Sequence, residues 1–134
     1  MTELRVVEER LSIWSVRASR TAGDVAALLS QCAQVEPRAW LAIDREPPRA
    51  DGLQVVDVSA RYAAFLISGN AAPDLFAAAL SLPAQSLKPG CCACTRFAEE
   101  CEVFIQRLGE AEYRLLIDAP LAHFAAQWIR DFAA

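Results

Sequence analysis

Four of the five cysteines lie in one short strip of the chain, at Cys91, Cys92, Cys94 and Cys101. Protein zinc sites commonly use cysteine pairs about two to four residues apart on tight turns. Here the pattern around the strip is that of a strand, so Cys92 and Cys94 would share one face while Cys91 points away. A strand does not readily wrap three ligands around one ion. We therefore interpret these cysteines as small hydrophobic side chains in a strand, with a metal or thiol module as the alternative.

The cysteines and the histidine do not indicate nucleophilic or redox chemistry. No Cys-x-x-Cys pair stands at a helix start, where the helix dipole would lower the pKa of a thiol. His123 is the one histidine, and a Cys–His pair would need it within hydrogen-bond reach of a thiol. It falls off the apolar stripe of its predicted helix. We interpret His123 as a solvent-exposed or interface residue.

The carboxylates and glycines are equally uninformative about catalysis. Glu99 and Glu100 fall in a predicted turn, where acidic side chains are ordinarily solvated. Asp57 is either a buried acid that holds a backbone turn or a residue that points to water, and strand alternation favours the outward position. Gly69 has no glycine partners nearby, so the phosphate-binding glycine patterns are absent. We therefore predict no catalytic, cofactor-binding or metal-binding residue on this chain.

Composition narrows the class of protein further. The 134 residues are a one-domain length, so we predict a single domain over residues 1–134. The net charge of −4 and the lack of a basic cluster argue against nucleic acid as a partner. No apolar run has the length of a membrane span. The charged N-terminal residues and the odd number of cysteines favour a cytoplasmic protein.

Hydrophobic residues make up 54% of the chain and charged residues 22%. This is more apolar than a freely soluble monomer needs, so we expect an alanine-rich core, an apolar surface that meets a partner, or both.

Periodicity predicts an alternation of strands and helices. Strands are predicted over residues 11–17, 39–43, 53–59, 62–68, 91–97, 101–108 and 112–117. The short join between residues 59 and 62 suggests that the third and fourth of these form an antiparallel hairpin. Residues 44–52 are predicted to be a surface loop, because they are polar and rich in proline.

Three helices are predicted. The first covers residues 22–34 with Thr21 as its N-cap, and the second covers residues 74–80 with Pro73 in its first turn. The third follows Asp118 as its cap, with Pro120 in its first turn. Its apolar residues recur at helical spacing: Leu121, Phe124, Ala125, Trp128, Ile129 and Phe132.

This order predicts an α+β fold with a mostly antiparallel sheet and three helices. Two strand-to-helix units, over residues 13–32 and 65–80, suggest ferredoxin-like βαβ elements.

Short motifs in the second half carry a family resemblance. The run 56–61 reads Val-Asp-Val-Ser-Ala-Arg, and Ser68-Gly69 is followed by Ala72 and a helix. Pro89-Gly90 precedes Thr95-Arg96, and two strands and an aromatic helix with Trp128 close the chain. In this order and spacing, residues 53–132 resemble the gamma subunit of heterotetrameric sarcosine oxidase. The sequence before residue 53 is shorter than in typical members. Trp40-Leu41 resembles the Trp-Leu region of the family only weakly.

The resemblance implies a fold like the folate-binding domain of the aminomethyltransferases. It also implies a non-catalytic structural subunit of a flavin-dependent complex that oxidatively demethylates sarcosine and passes the methyl carbon to tetrahydrofolate. FAD, FMN, NAD and tetrahydrofolate would belong to the partners, the alpha and beta and possibly the delta subunits. The alternatives are a subunit of a related amine or imino-acid dehydrogenase, and a stand-alone protein of this fold that binds folate or another small molecule.

Overall fold

The computed structural model describes residues 3–19, 25 and 27–134. The chain divides into two compact units, Leu11–Ala60 and the combination of Met1–Arg10 with Arg61–Ala134. Each unit is described by itself below. A single domain over residues 1–134 stays a prediction.

Nine strands and two α-helices lie in the described residues. The strands are β1 (Arg5–Glu9), β2 (Ile13–Ala18), β3 (Ala33–Glu36), β4 (Ala39–Ile43), β5 (Leu53–Asp57), β6 (Tyr62–Ser68), β7 (Cys92–Phe97), β8 (Cys101–Gly109) and β9 (Glu112–Asp118). The helices are α1 (Ala72–Ala79) and α2 (Ala122–Ala133). Short 3-10 turns occupy Ser59–Arg61, Ala84–Ser86 and Ala119–Leu121.

The larger unit is built on a five-stranded sheet with the order β1-β6-β9-β8-β7. All of its pairings are antiparallel. Tight turns explain the two consecutive hairpins β7-β8 and β8-β9. Ala98 and Glu99 adopt positive φ angles of 53° and 60° in the first turn, and Gly109 precedes the second. The predicted strands at 91–97, 101–108 and 112–117 are confirmed.

One face of this sheet packs against both helices. The alternate residues Phe65 and Ile67 of β6, and Tyr113 and Leu115 of β9, are buried in one core with α1 and α2. Helix α1 contributes Leu75 and Phe76 to this core, and α2 contributes Ala125 and Ile129. Edge-to-face contacts join Phe97 to Trp128 at 5.3 Å and Phe76 to Tyr113 at 4.9 Å between ring centroids. The predicted apolar stripe of the last helix therefore does face the core, although Phe132 is 37% exposed.

The smaller unit holds a four-stranded antiparallel sheet with the order β3-β4-β2-β5. Its centre is the pair β2 and β4, in which Val16 lies opposite Trp40. Val16, Ala42 and Leu29 form a small core with partly buried neighbours, Trp14 and Trp40 among them. The predicted strand 39–43 coincides with β4, and the strand predicted at 11–17 is β2 shifted towards residue 18. Residues 44–52 form a loop, as predicted.

The predicted helix over residues 22–34 is wrong in its described part. Residues 27–31 form turns, and Ala33 already begins strand β3. The Thr21 cap and residues 22–24 and 26 lie outside the described residues. The helical spacing of Leu28, Leu29 and Cys32 is misleading because Leu29 alone is fully buried, while Leu28 is 51% exposed.

The hairpin predicted between residues 53–59 and 62–68 is also wrong, because β5 and β6 belong to different sheets. β5 pairs with β2, whereas β6 pairs with β1 and β9. The turn that follows β5 is held by Ile13 instead: the Val58 amide donates to the Ile13 carbonyl at 2.9 Å.

Two finer expectations are corrected as well. The Asp118 side chain makes no capping hydrogen bond, and a 3-10 turn at Ala119–Leu121 separates it from α2. No ferredoxin-like βαβ element is found among the described residues. The strands β6 and β7, which flank α1, are separated by β9 and β8 and run in opposite directions, whereas the two strands of a βαβ element run parallel. The coarse fold class, α+β with mostly antiparallel sheet, is confirmed.

Candidate functional site

The cysteine strip does not converge on one point. Cys92 lies opposite Gln106 and Cys94 opposite Phe104, so these two thiols share a face of the sheet, as predicted. Cys101 lies opposite Phe97 and packs against the core on the helix side, which is the other face. Cys91 precedes the strand and is exposed. Within residues 3–19, 25 and 27–134, no three side chains of the metal-binding types are placed to hold an ion.

The electrostatics of the strip oppose thiolate chemistry. Burial raises the pKa of Cys92 to about 12, and the neighbouring thiols Cys94 and Cys91 add to the effect. Burial also raises the pKa of Cys94, with Glu102 reinforcing it, and burial raises the pKa of Cys101. These three side chains therefore remain neutral thiols near pH 7. A thiol nucleophile requires the opposite shift.

The next candidate residues from the sequence analysis, His123 and the pair Glu99 and Glu100, lie on different elements. His123 is exposed on α2, as predicted. Glu99 and Glu100 are exposed in the turn between β7 and β8, as predicted.

Asp57 supports a turn. It is exposed, as alternation favoured, and its carboxylate accepts hydrogen bonds from the Ser59 amide at 2.9 Å and the Ser59 hydroxyl at 2.7 Å. These bonds hold the pKa of Asp57 below its usual value. The Ser59 hydroxyl oxygen in turn accepts the Ile13 amide at 2.8 Å. The Val-Asp-Val-Ser motif thus fixes the end of β5 beside the start of β2.

Gly69 of the Ser-Gly motif also serves the fold. Its φ of +112° suits glycine, and a Cβ there would collide with the carbonyl oxygen of Glu3. That same carbonyl accepts a hydrogen bond from the Ala71 amide at 2.9 Å. The motif therefore lets the segment before β1 pass close to the start of α1, and it needs no ligand to explain it.

The surface beside β1 and α2 is the feature that sequence analysis missed, since β1 was not predicted. A cleft of about 340 Å³ separates this strand from the helix. Its lining is mostly apolar, with one acid and one base: Leu4, Val6, Glu8, Phe65, Ala126, Ile129, Arg130 and Ala133. The Val6-Val7 pair was the available signal, but flanking charges obscured the strand pattern.

A second cleft extends the same surface. It is lined by Leu4, Ala71, Asp74, Phe132, Ala133 and Ala134. Leu4 and Ala133 line both clefts, so the two are contiguous. Three of the large hydrophobic residues that are exposed in the described chain belong to this region: Val6, Val7 and Phe132. We call this region, β1 with the two clefts, the β1 edge surface. Its chemistry suits contact with another polypeptide better than catalysis.

Comparison with known proteins identifies the fold. No protein-family model matches the sequence, and no curated protein does. Among solved structures, the chain is similar to a chain of the heterotetrameric sarcosine oxidase from Corynebacterium sp. U-96 in complex with pyrrole 2-carboxylate, with a TM-score of 0.79 and 19% sequence identity. The match covers 97% of this chain and 82% of that chain. The predicted likeness of fold to a subunit of a heterotetrameric sarcosine oxidase is thereby confirmed.

No helix in the described part of the chain is long and apolar enough to cross a bilayer.

Proposed function

We propose that this chain is a non-catalytic structural subunit, of the gamma type, in a heteromeric flavin-dependent complex like sarcosine oxidase. The observation that carries the proposal is the fold match over 97% of this chain to a chain of a heterotetrameric sarcosine oxidase. The sequence motifs over residues 53–132 support the same assignment independently. The Asp57–Ser59 turn and Gly69 support it further, because these motif residues have roles in holding the fold.

In this proposal the chemistry belongs to the partners, the alpha and beta and possibly the delta subunits. They would bind FAD, FMN, NAD and tetrahydrofolate, oxidise sarcosine and transfer its methyl carbon. The raised pKa values of Cys92, Cys94 and Cys101 argue against these three thiols as nucleophiles. A cytoplasmic location for the complex is part of the proposal.

The test is co-expression of the affinity-tagged chain with the flavoprotein subunits encoded in the same genome. We expect the tagged chain to retain those subunits in equal amounts through affinity and size-exclusion chromatography. Flavin absorbance should follow the complex and be lacking in the tagged chain purified alone. Elution of the tagged chain without any flavoprotein would contradict the proposal.

The substrate is assigned by a separate measurement on that complex. We expect oxygen consumption with sarcosine to exceed that with other secondary amines and cyclic imino acids. Turnover of one of those compounds but not of sarcosine would reassign the complex to a related amine or imino-acid dehydrogenase while leaving the structural role of this chain in place.

A further inference from the structure

We propose that β1 accepts an extended segment of a partner subunit as a sixth strand of the larger sheet. The segment would place an apolar side chain in the cleft between β1 and α2, a basic residue beside Glu8 and an acidic residue beside Arg5. This inference rests on the proposed function, since it names the part of the chain that holds the complex together.

The edge of the sheet at β1 is open. β1 pairs with β6 on one side, and no strand within the described residues pairs with its other side. Its first four residues, Arg5 to Glu8, are all exposed. An open edge presents unpaired backbone N–H and C=O groups, which fit the backbone of another strand.

The opposite edge of the same sheet is partly closed. Leu80 forms an antiparallel bridge with Phe97 of β7, and the Ala98 amide donates to the Ala79 carbonyl at 2.7 Å. The segment after α1 therefore covers the end of β7. This asymmetry points to β1 as the edge at which the sheet is extended.

The side chains of β1 define what the added strand should carry. Leu4, Val6 and Glu8 alternate along the face that lines the cleft, whereas Val7 is 46% exposed on the other face. An apolar side chain of the added strand next to Val6 would shield both Val6 and the cleft wall from water. Glu8 would then lie in a partly dry contact, where a carboxylate is stable only beside a cation; Arg130 lines the same cleft, and a basic residue of the added strand would add a second cation there. By the same reasoning, the added strand should place an acidic residue beside Arg5.

A second copy of this chain does not supply both a basic residue beside Glu8 and an unpaired acidic residue beside Arg5. In a two-fold antiparallel pair, opposed residues lie on the same face of the sheet. Arg5 and Glu8 lie on opposite faces, so no such register places Arg5 of one copy against Glu8 of the other. The register centred on Val7 sets Glu8 against Val6, and it offers Arg5 only Glu9, which already binds Arg114 at 3.2 Å. The charges therefore favour a different polypeptide as the occupant.

The test compares three lysine variants in the co-expressed complex. Val6→Lys and Val7→Lys place a charge in the proposed contact, and each should lower the retained flavoprotein about tenfold through the cost of burying an unpaired ammonium group. Val56→Lys is the matched control: it changes a 51% exposed valine on β5, an edge strand of the other sheet, and should retain the partner like the wild type. Circular dichroism of each isolated variant checks that its fold is kept.

Hydrogen exchange supplies an independent measurement. In the wild-type complex, amides of residues 5–8 should exchange more slowly than in the isolated chain. Full retention of the Val6→Lys and Val7→Lys variants, or unchanged exchange at residues 5–8, would overturn the inference while the structural role stands. A dimer of the isolated chain with these amides already protected would assign the edge to a second copy instead. Loss of partner retention by the wild type itself would refute the proposed function, and this inference with it.

Discussion

Arg114 reaches across a whole strand to bind Glu9: its Nε donates to the Glu9 Oε1 at 3.2 Å, although β6 lies between their strands. The two residues are 105 positions apart in the sequence. Their side chains are only 13% and 20% exposed. The bond ties the N-terminal strand to β9 at the centre of the sheet, so it helps to hold the edge at which we propose that a partner docks.

Replacing Glu9 by Gln should therefore destabilise the larger unit. The substitution keeps the shape but removes the charge opposite a poorly solvated guanidinium group, and we expect the free energy of unfolding to fall by about 1–2 kcal/mol. Urea denaturation followed by circular dichroism measures it. Glu36→Gln is the control, because Glu36 and Arg17 are 3.9 Å apart with both side chains 63% exposed. That variant should change the same quantity by less than about 0.5 kcal/mol. Equal effects of the two substitutions would contradict the role of the Glu9–Arg114 pair.

The second half of the chain was predictable because its local signals agree with its tertiary contacts. Residues 101–117 combine alternating apolar side chains with a glycine turn, and they form the hairpin β8-β9. The stripe that includes Ala125 and Ile129 faces one core, so its helical spacing reports burial directly.

Prediction failed in the first half of the chain where the pattern of apolar residues does not match the pattern of burial. β1 is an edge strand with Val6 and Val7 exposed on both faces, so it shows no alternation to detect. β5 and β6 follow each other closely in sequence, but the choice of partners depends on contacts with β2 and β9 that no local pattern encodes.

Of the candidate site, the sequence predicted only the placement of single residues. Strand alternation correctly placed Cys92 and Cys94 on one face, yet the position of Cys101 on the opposite face depends on its pairing with Phe97 across the turn. The β1 edge surface could not be predicted, because it requires β1 and α2, at opposite ends of the sequence, to lie beside one cleft.

Cys92 should make stability depend on pH in alkaline solution. Its pKa is raised from 9.0 to about 12, mainly by burial, so the folded state holds the thiol proton more tightly than the unfolded state does. This contribution is complete below about pH 9 and is lost as the pH rises towards 12. In this window, the free energy of unfolding of the wild type should fall by up to about 1.4 kcal/mol per pH unit more than that of Cys92→Ala.

Urea denaturation at a series of pH values between 8 and about 10.5 gives the two slopes. Cys91→Ala is the control: Cys91 is exposed beside the strand, and this variant should keep most of the wild-type slope, because the burial that mainly raises the pKa of Cys92 remains. Parallel slopes for the wild type and Cys92→Ala would show that the thiol of Cys92 is not held in its neutral form by the fold.

Metal removal should leave the protein unchanged. The strip's thiols are divided between two faces of the sheet, and no three side chains of the metal-binding types in the described residues are placed to hold an ion, so we expect no stoichiometric zinc or iron in protein purified without chelators. Elemental analysis measures the metal content, and the melting temperature should be the same before and after dialysis against EDTA. One bound equivalent that disappears in Cys92→Ser would instead establish a metal module.

Trp128 should contribute more to stability than the neighbouring Phe132, although the two rings stack with an interplanar angle of only 7°. Trp128 also meets Phe97 edge to face at 5.3 Å, and Phe97 is fully buried beneath it, whereas Phe132 is 37% exposed on the β1 edge surface. Trp128→Ala removes the ring that covers Phe97, so we expect a loss of about 2–4 kcal/mol in the free energy of unfolding. Phe132→Ala should lose less than about 1 kcal/mol. Urea denaturation of both variants separates the two roles, and a larger loss from Phe132→Ala would mean that the ring stack, rather than the Phe97 contact, holds α2 on the sheet.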